Sequence, residues 1–176
     1  MILGVHFFCQ VIRLYKGKVG IMISEIYRVS FIGHREIIYD FRYVEDTLDR
    51  IIADVTTNKE FVEFYVGKNG DFDTMAASAV KRYQNRTGKE NSALILVIPY
   101  EVTNMDLCEK FYDEIICPDE LFGVHFKSAI TKRNEWLVDH SDVLIAYVNK
   151  EGGGASKCLS YAEKQGKRIK NIAVKN

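Results

Sequence analysis

The sequence predicts an α/β fold, a Rossmann-like, doubly wound, mainly parallel sheet of about five strands with helices on both faces. Three observations predict it. From Ile26 onward, short apolar runs alternate with segments of helical periodicity. Residues 93–98 (ALILVI) and 142–148 (DVLIAYV) are almost continuously apolar, as central strands covered on both faces are. Hairpin signals are almost absent, so helical crossovers must join the strands.

Taken in order, residues 27–32 form the first expected strand. Val44, Leu48, Ile51, Ile52 and Val55 then recur at helical spacing, with Glu45, Asp46 and Asp49 expected early in that helix, where carboxylates suit its positive end. Residues 61–66 are the second strand. Phe72, Met75, Ala76, Ala79 and Tyr83 make the stripe of a second helix, with Asp71 placed to cap it. The third strand, 93–98, is ended by Pro99, and 114–117 reads as a short strand leading into a loop around 118–124. A helix over 126–140 carries Phe126, Ala129, Ile130 and Leu137 as its apolar stripe. After the strand at 142–148, a helix from about Ala155 to Gln165 stops at Gly166, and 169–173 is the last strand. No repeat, low-complexity tract or linker interrupts residues 26–176, which are expected to be one domain. Residues 1–25 read as a peripheral N-terminal extension. The apolar run from Met1 to Ile12 is too short to span a membrane and lacks the basic start and cleavage site of a signal peptide, so the functional start is expected at Met22.

Composition narrows the function. Among 176 residues, 24 Lys and Arg balance 24 Asp and Glu, so there is no broad field to attract nucleic acid or an acidic membrane, and any anion site must be local. With 47% hydrophobic residues the chain is not of disordered type. The cysteines, Cys9, Cys108, Cys117 and Cys158, form no C-x-x-C pair, which excludes a Cys-rich zinc module or disulfide scaffold and fits a reducing cytoplasm. His6, His125 and His140 have no metal-like spacing, and neither metal nor cofactor is expected. There is no nucleophile elbow, Walker A loop, HExxH segment or G-x-G-x-x-G opening, which argues against a conventional nicotinamide dehydrogenase.

Ligands of open parallel sheets bind beyond the carboxyl ends of the strands. Three glycine-bearing turns leave such ends: Gly33-His34-Arg35 after the first strand, Gly67 to Asp73 after the second, and Gly152-Gly153-Gly154 after the strand at 142–148. The triple glycine is the best anion site, because glycine lets the backbone approach a phosphate, the next helix start offers free N–H groups, and Ser156 adds a hydroxyl. The second turn is different: Asp71 and Asp73 compete with a phosphate there. Asp71 is the better cap, while Asp73 suits either capping or a ribose hydroxyl. Gly67 and Gly70 serve backbone conformation, and Asn69 serves the same end or donates to a ligand. Arg133 falls inside the apolar stripe of its helix, so it needs an anionic or carbonyl partner, from a ligand or from an internal ion pair, unless it snorkels to water. Asn134 beside it joins the candidate site. Trp136 reads as core. His34 suits an acid/base group, a base-stacking residue or a structural histidine.

Together, residues 29–36 (VSFIGHRE), 64–73 (FYVGKNGDFD) and 132–157 (KRNEWLVDHSDVLIAYVNKEGGGASK) resemble the SLOG superfamily, and within it the YpsA-like group of small bacterial proteins. Relatives in that superfamily include the "Lonely Guy" phosphoribohydrolases, the DNA-processing protein A family and nucleotide-sensing domains. The resemblance implies a Rossmann-like sheet with a nucleotide pocket at its rim. Arg133 matches the functional Arg of the phosphoribohydrolases and residues 152–154 match their glycine turn. Ser156-Lys157-Cys158-Leu159, however, supplies no carboxylate where their catalytic Glu stands.

Three functions follow, in this order. The first is binding of a nucleotide or nucleotide-derived small molecule, in a sensory or regulatory role. The second is N-glycosidic cleavage of a nucleotide with His34 or Asp73 as the acid/base. The third is single-stranded nucleic-acid binding, with Lys127, Lys132 and Arg133 near Phe126 and Trp136. No membrane partner is expected; the oligomeric state is open, a homodimer being what relatives of this fold, which often pair through helices, suggest.

Overall fold

The computed structural model describes residues 25–38, 41–100 and 105–174. Six strands, β1 (Ile26–Gly33), β2 (Phe61–Val66), β3 (Ser92–Val97), β4 (Glu114–Ile116), β5 (Val143–Tyr147) and β6 (Arg168–Asn171), form one sheet in the order β4-β3-β2-β1-β5-β6, every pairing parallel. They are joined by α1 (Phe41–Thr56), α2 (Asp71–Thr87), α3 (Met105–Phe111), α4 (Phe126–Asp139) and α5 (Gly153–Lys164), with a 3-10 turn at Asp119–Leu121. The chain begins at the centre, builds outward to β4, then returns to lay β5 on the other side of β1. That reversal is a topological switch point, where the loops leaving β1 and β5 diverge and open a crevice.

Strand alternation divides the core into two layers. Val29, Phe31 and Phe64 face α1 and α2, packing on Leu48, Ile52, Phe72 and Val80. Ile32, Tyr65, Ile95 and Leu144 face the opposite way, onto Leu137 and Val138 of α4 and Cys158 and Ala162 of α5. Adjacent Phe31 and Ile32 thus serve different layers, as the two-residue period of a strand requires. β2, β3 and β5 are buried throughout.

The short strand expected at 114–117 is present: residues 114–116 pair with β3 as a three-residue edge and bring the sheet to six strands. The structure corrects other expectations. β6 runs from Arg168 to Asn171, slightly earlier than expected; it is the other edge, partly exposed, and lacks a continuous apolar signal. α1 starts at Phe41 with no acid in its first turn, so Glu45, Asp46 and Asp49 lie beyond the helix start. Asp49 instead binds Arg82 of α2 at 3.0 Å and Arg86 at 3.6 Å, tying the two helices together. Gly70 holds the N-cap position of α2 without a side-chain cap. Asp71 is therefore not a cap: its carboxylate accepts the backbone N–H of Ile37 at 3.0 Å and fastens the loop after β1 to α2. Phe126, placed in the stripe of α4, is 68% exposed. The expectations for Met1 to Ile12, Met22, His6 and Cys9 fall outside the described residues.

Candidate functional site

The exits of β1, β2 and β5 share one rim with the middle of α4, and together they line a cavity of about 370 Å³. β1 contributes Ile32, Gly33, His34 and Arg35; the turn into α2 contributes Asn69, Gly70 and Asp73; α4 contributes Ile130, Arg133 and Asn134; and the start of α5 contributes Gly153, Gly154 and Ala155. Of the residues singled out from the sequence, Gly67, Gly152 and Ser156 do not line it. Ile32, Ile130 and Ala155 were missed; each is a small or apolar neighbour, in sequence or one helical turn away, of a residue chosen for its polarity.

Arg133 is buried with Ala129 and Leu137 along one face of α4, at 3% exposure. Its Nη1 donates to the Val97 carbonyl at a long 3.4 Å, and its Nε has no hydrogen-bond partner. Asp73 approaches from the other side of Gly67: a Cβ at Gly67 would run into Arg133 Nη1 and lie 2.6 Å from Asp73 Oδ2. Gly67 therefore makes room for this cation and carboxylate to face each other. Burial holds the Arg133 guanidinium below its ordinary pKa, with Asp73 opposing that shift. Burial likewise pushes the Asp73 carboxyl up, opposed by Arg133 and by the Asn69 N–H, which donates to Oδ2 at 2.9 Å. Among the described residues no carboxylate forms an ion pair with Arg133 at contact distance. A desolvated charge so weakly compensated costs stability, and a ligand anion would relieve that cost.

The glycines divide by cause. Gly33 is occupied by packing, since a Cβ there would strike the Phe72 ring; at Gly70 it would lie 2.6 Å from the Arg35 Cα. Gly152 and Gly153 both have φ +82°, a conformation that side chains other than glycine resist. Gly154 has neither reason: no atom lies within 4 Å of where its Cβ would be, and its φ is not positive. It stands in the first turn of α5, a helix with no side-chain cap and no acid in that turn, so its leading N–H groups remain available to an anion. α2 is the opposite case, with Asp71 and Asp73 in its first turn.

His34 Nε2 accepts the backbone N–H of Asn149 at 3.1 Å and of Lys150 at 3.3 Å. Its ring meets Tyr147 edge-on at 6.3 Å, and Tyr147 stacks on Phe72 at 5.8 Å. Burial, then the Lys150 charge, holds the imidazole below its ordinary pKa. Trp136 packs against Tyr65 and stacks on His140 at 4.1 Å, outside the cavity lining. The Cys158 thiol is pushed up to about 12 by burial and donates to the Asn134 carbonyl at 3.7 Å, so it is no nucleophile at neutral pH. Beyond the cavity lining, Tyr100 was also missed; it follows β3 and lies within electrostatic reach of Arg133. The signal was there, since it leaves an apolar strand at the same rim, but its turn carries Pro99 and no glycine. No group of three or more His, Cys, Asp or Glu side chains that could hold a metal ion occurs among the described residues. No described helix is long and apolar enough to cross a membrane.

No family model matches the sequence, and no curated protein matches it. Solved structures do match in fold. DNA processing protein A (DprA) from Streptococcus pneumoniae superposes with TM-score 0.60 at 14% identity, covering 82% of this chain and 49% of that one. DNA processing protein A from Helicobacter pylori, solved for its single-stranded DNA binding mode, gives TM-score 0.55 at 15% identity, covering 81% of this chain and 63% of that one. The chain thus spans less than two thirds of either neighbour, and at such identity the likeness is one of fold. The architecture expected from the SLOG resemblance, a Rossmann-like parallel α/β sheet, is the architecture found, and it is the fold shared with these two proteins.

Proposed function

We propose that the chain binds a nucleotide or nucleotide-derived small molecule in the cavity at the sheet rim, in a sensory or regulatory role. The observation that carries this reading is Arg133, a guanidinium at 3% exposure with no ion pair at contact distance among the described residues, lining a cavity that also holds the uncapped start of α5. The phosphate belongs at Gly153 and Gly154 at the start of α5, in the turn that Gly152 opens and Ser156 follows, while Arg133, which faces Asp73 across Gly67, meets the other end of the ligand. Ribose and base extend toward Gly33, His34, Arg35, Asn69, Gly70 and Asp73. A cavity of about 370 Å³ is of the size small-molecule sites have. Asp73 is the only carboxylate among the residues lining it, which leaves N-glycosidic cleavage without a pair of carboxylates, only Asp73 and His34, and supports binding ahead of hydrolysis.

A second reading, single-stranded nucleic acid along the same rim, is favoured by Phe122 and Phe126, 69% and 68% exposed beside Lys127 at the start of α4. The fold neighbour solved for its single-stranded DNA binding mode adds to that reading. Mass spectrometry of small molecules released from the freshly purified protein tests the first reading, with a nucleotide as the expected result. A gel shift with oligonucleotides that weakens steeply with salt, and no released nucleotide, is the outcome that would put the second reading ahead.

A further inference from the structure

His34 stands where β1 leaves the sheet, on the wall of the cavity. Its Nε2 receives two main-chain N–H groups, from Asn149 at 3.1 Å and Lys150 at 3.3 Å. Two fixed donors aimed at one ring nitrogen require that nitrogen to be unprotonated, so the ring proton sits on Nδ1. The imidazole thereby ties the exit of β5 to the exit of β1 just upstream of Gly152, where the glycine turn opens. Edge contact with Tyr147, itself stacked on Phe72, fixes the plane of the ring. Among the described residues nothing accepts the Nδ1 proton.

We propose that His34 is a positioning residue of the anion site: the neutral imidazole holds Asn149 and Lys150 so that the turn at 152–154 is open to a phosphate, and its Nδ1–H donates to a ligand oxygen. Acidification then weakens nucleotide binding instead of strengthening it. The ligand half of this proposal rests on the nucleotide reading above; the latch does not.

Protonation would place a second N–H donor against two existing ones, and both hydrogen bonds would be lost. The Lys150 charge, at the exit of β5, opposes protonation of the ring. Arg35 from the exit of β1 and Arg133 from α4 line the same cavity, and Asp73 on α2 is the one carboxylate on its wall. The positive end of α5 adds to the cations. Burial works in the same direction. A histidine that simply attracted phosphate would act in the opposite sense, gaining charge and affinity as pH falls.

The test combines ¹⁵N NMR of the histidine rings with calorimetric titration of adenosine 5′-monophosphate at pH 7.5 and pH 5, in the unaltered chain and in His34→Gln. Gln offers an acceptor near the Nε2 position but does not titrate, and the comparison cancels the phosphate's own ionisation. Expected are an unprotonated Nε2 at pH 7.5 and amide signals of Asn149 and Lys150 that move together with the ring as it titrates. Expected also is an affinity loss on acidification about tenfold larger in the unaltered chain than in His34→Gln. An Nε2–H tautomer, affinity that rises in acid, or one pH slope shared by both proteins would overturn the proposal. If adenosine monophosphate binds at neither pH while the coupled amide shifts appear, the nucleotide reading and the ligand half fall together, and the latch is supported alone.

Discussion

Replacing Arg133 with methionine separates a ligand-binding cation from a structural one. Among the described residues the guanidinium makes one hydrogen bond, to Val97 at 3.4 Å, and its Nε has none. Losing that long bond costs at most about 1 kcal/mol. Against this stands the desolvation of a buried charge, several kcal/mol in ordinary proteins, which Asp73 offsets only from beyond ion-pair contact. Methionine has similar volume and no charge, and Asp73, already pushed up by burial, can take a proton once its cation is gone. Removal of the buried cation and the protonation of Asp73 that follows offset one another, so the ligand-free variant is expected to stay within about 1 kcal/mol of the unaltered chain. For a chain of this size that is a Tm change of at most about 4 °C. Adenosine monophosphate at a hundred times its Kd should stabilise the unaltered chain by about 2.7 kcal/mol and the variant hardly at all. Thermal unfolding of both proteins, with and without the nucleotide, measures all four states. A ligand-free variant less stable by more than about 2 kcal/mol would show that the guanidinium holds Asp73 and β3 together and exists for the fold.

Other expectations follow from the same contacts. Gly154→Ala should leave ligand-free stability unchanged or raise it by about 0.5–1 kcal/mol, because neither space nor φ opposes a methyl group, while abolishing the thermal shift produced by adenosine monophosphate. Gly152→Ala, at φ +82°, should lose about 1–2 kcal/mol without any ligand, and equal behaviour of the two variants in thermal unfolding would show that the turn is not divided as described. Asp113 accepts hydrogen bonds from Lys81 at 2.8 Å, Gln84 at 2.7 Å and the Leu94 N–H at 2.8 Å; these outweigh burial and hold its carboxyl below the usual range. A carboxylate depressed in the folded state stabilises above its unfolded pKa, near 4, and that contribution is lost as pH falls through the folded value. Asp113→Asn should thus cost about 1–3 kcal/mol in urea unfolding at pH 7, and the difference should shrink below about pH 4.

Much of this was legible in the sequence because the central strands are buried on both faces. A run such as residues 93–98 has no polar alternative to confuse its period, and the same holds for 142–148. The edges were harder. β4 is three residues long and half-buried, and β6 reads Arg-Ile-Lys-Asn, so neither carries a continuous apolar signal. Helix starts were also misjudged where tertiary contacts claimed the side chains. Asp71 has the composition of a cap, but its carboxylate is spent on the Ile37 N–H; Asp49 looked like a dipole partner and is an anchor for Arg82 and Arg86. In the cavity, Arg133 was visible because a cation interrupted an apolar stripe. The tie from His34 to Asn149 and Lys150 was not, since it joins residues 115 and 116 positions apart through main-chain atoms that carry no side-chain signature.

The two helix starts on this rim explain why a ligand would bind in one orientation. At α2, Asp71 and Asp73 fill the first turn, and the Asn69 N–H is already given to Asp73. At α5 the first turn holds only Gly153, Gly154 and Ala155 on the cavity side, without cap or carboxylate. One end of the cavity therefore offers positive potential and free donors, and the other offers an acceptor beside a buried guanidinium. Under the proposed reading, a phosphate is drawn to α5 and repelled from α2, while hydroxyl or amino groups meet Asp73 two strands away, roughly 10 Å across the sheet at the usual strand spacing. A bare phosphate can use only the first end. A ligand with an anion at one end and hydrogen-bond donors at the other uses both, and that pairing of groups is what a nucleotide carries and inorganic phosphate lacks.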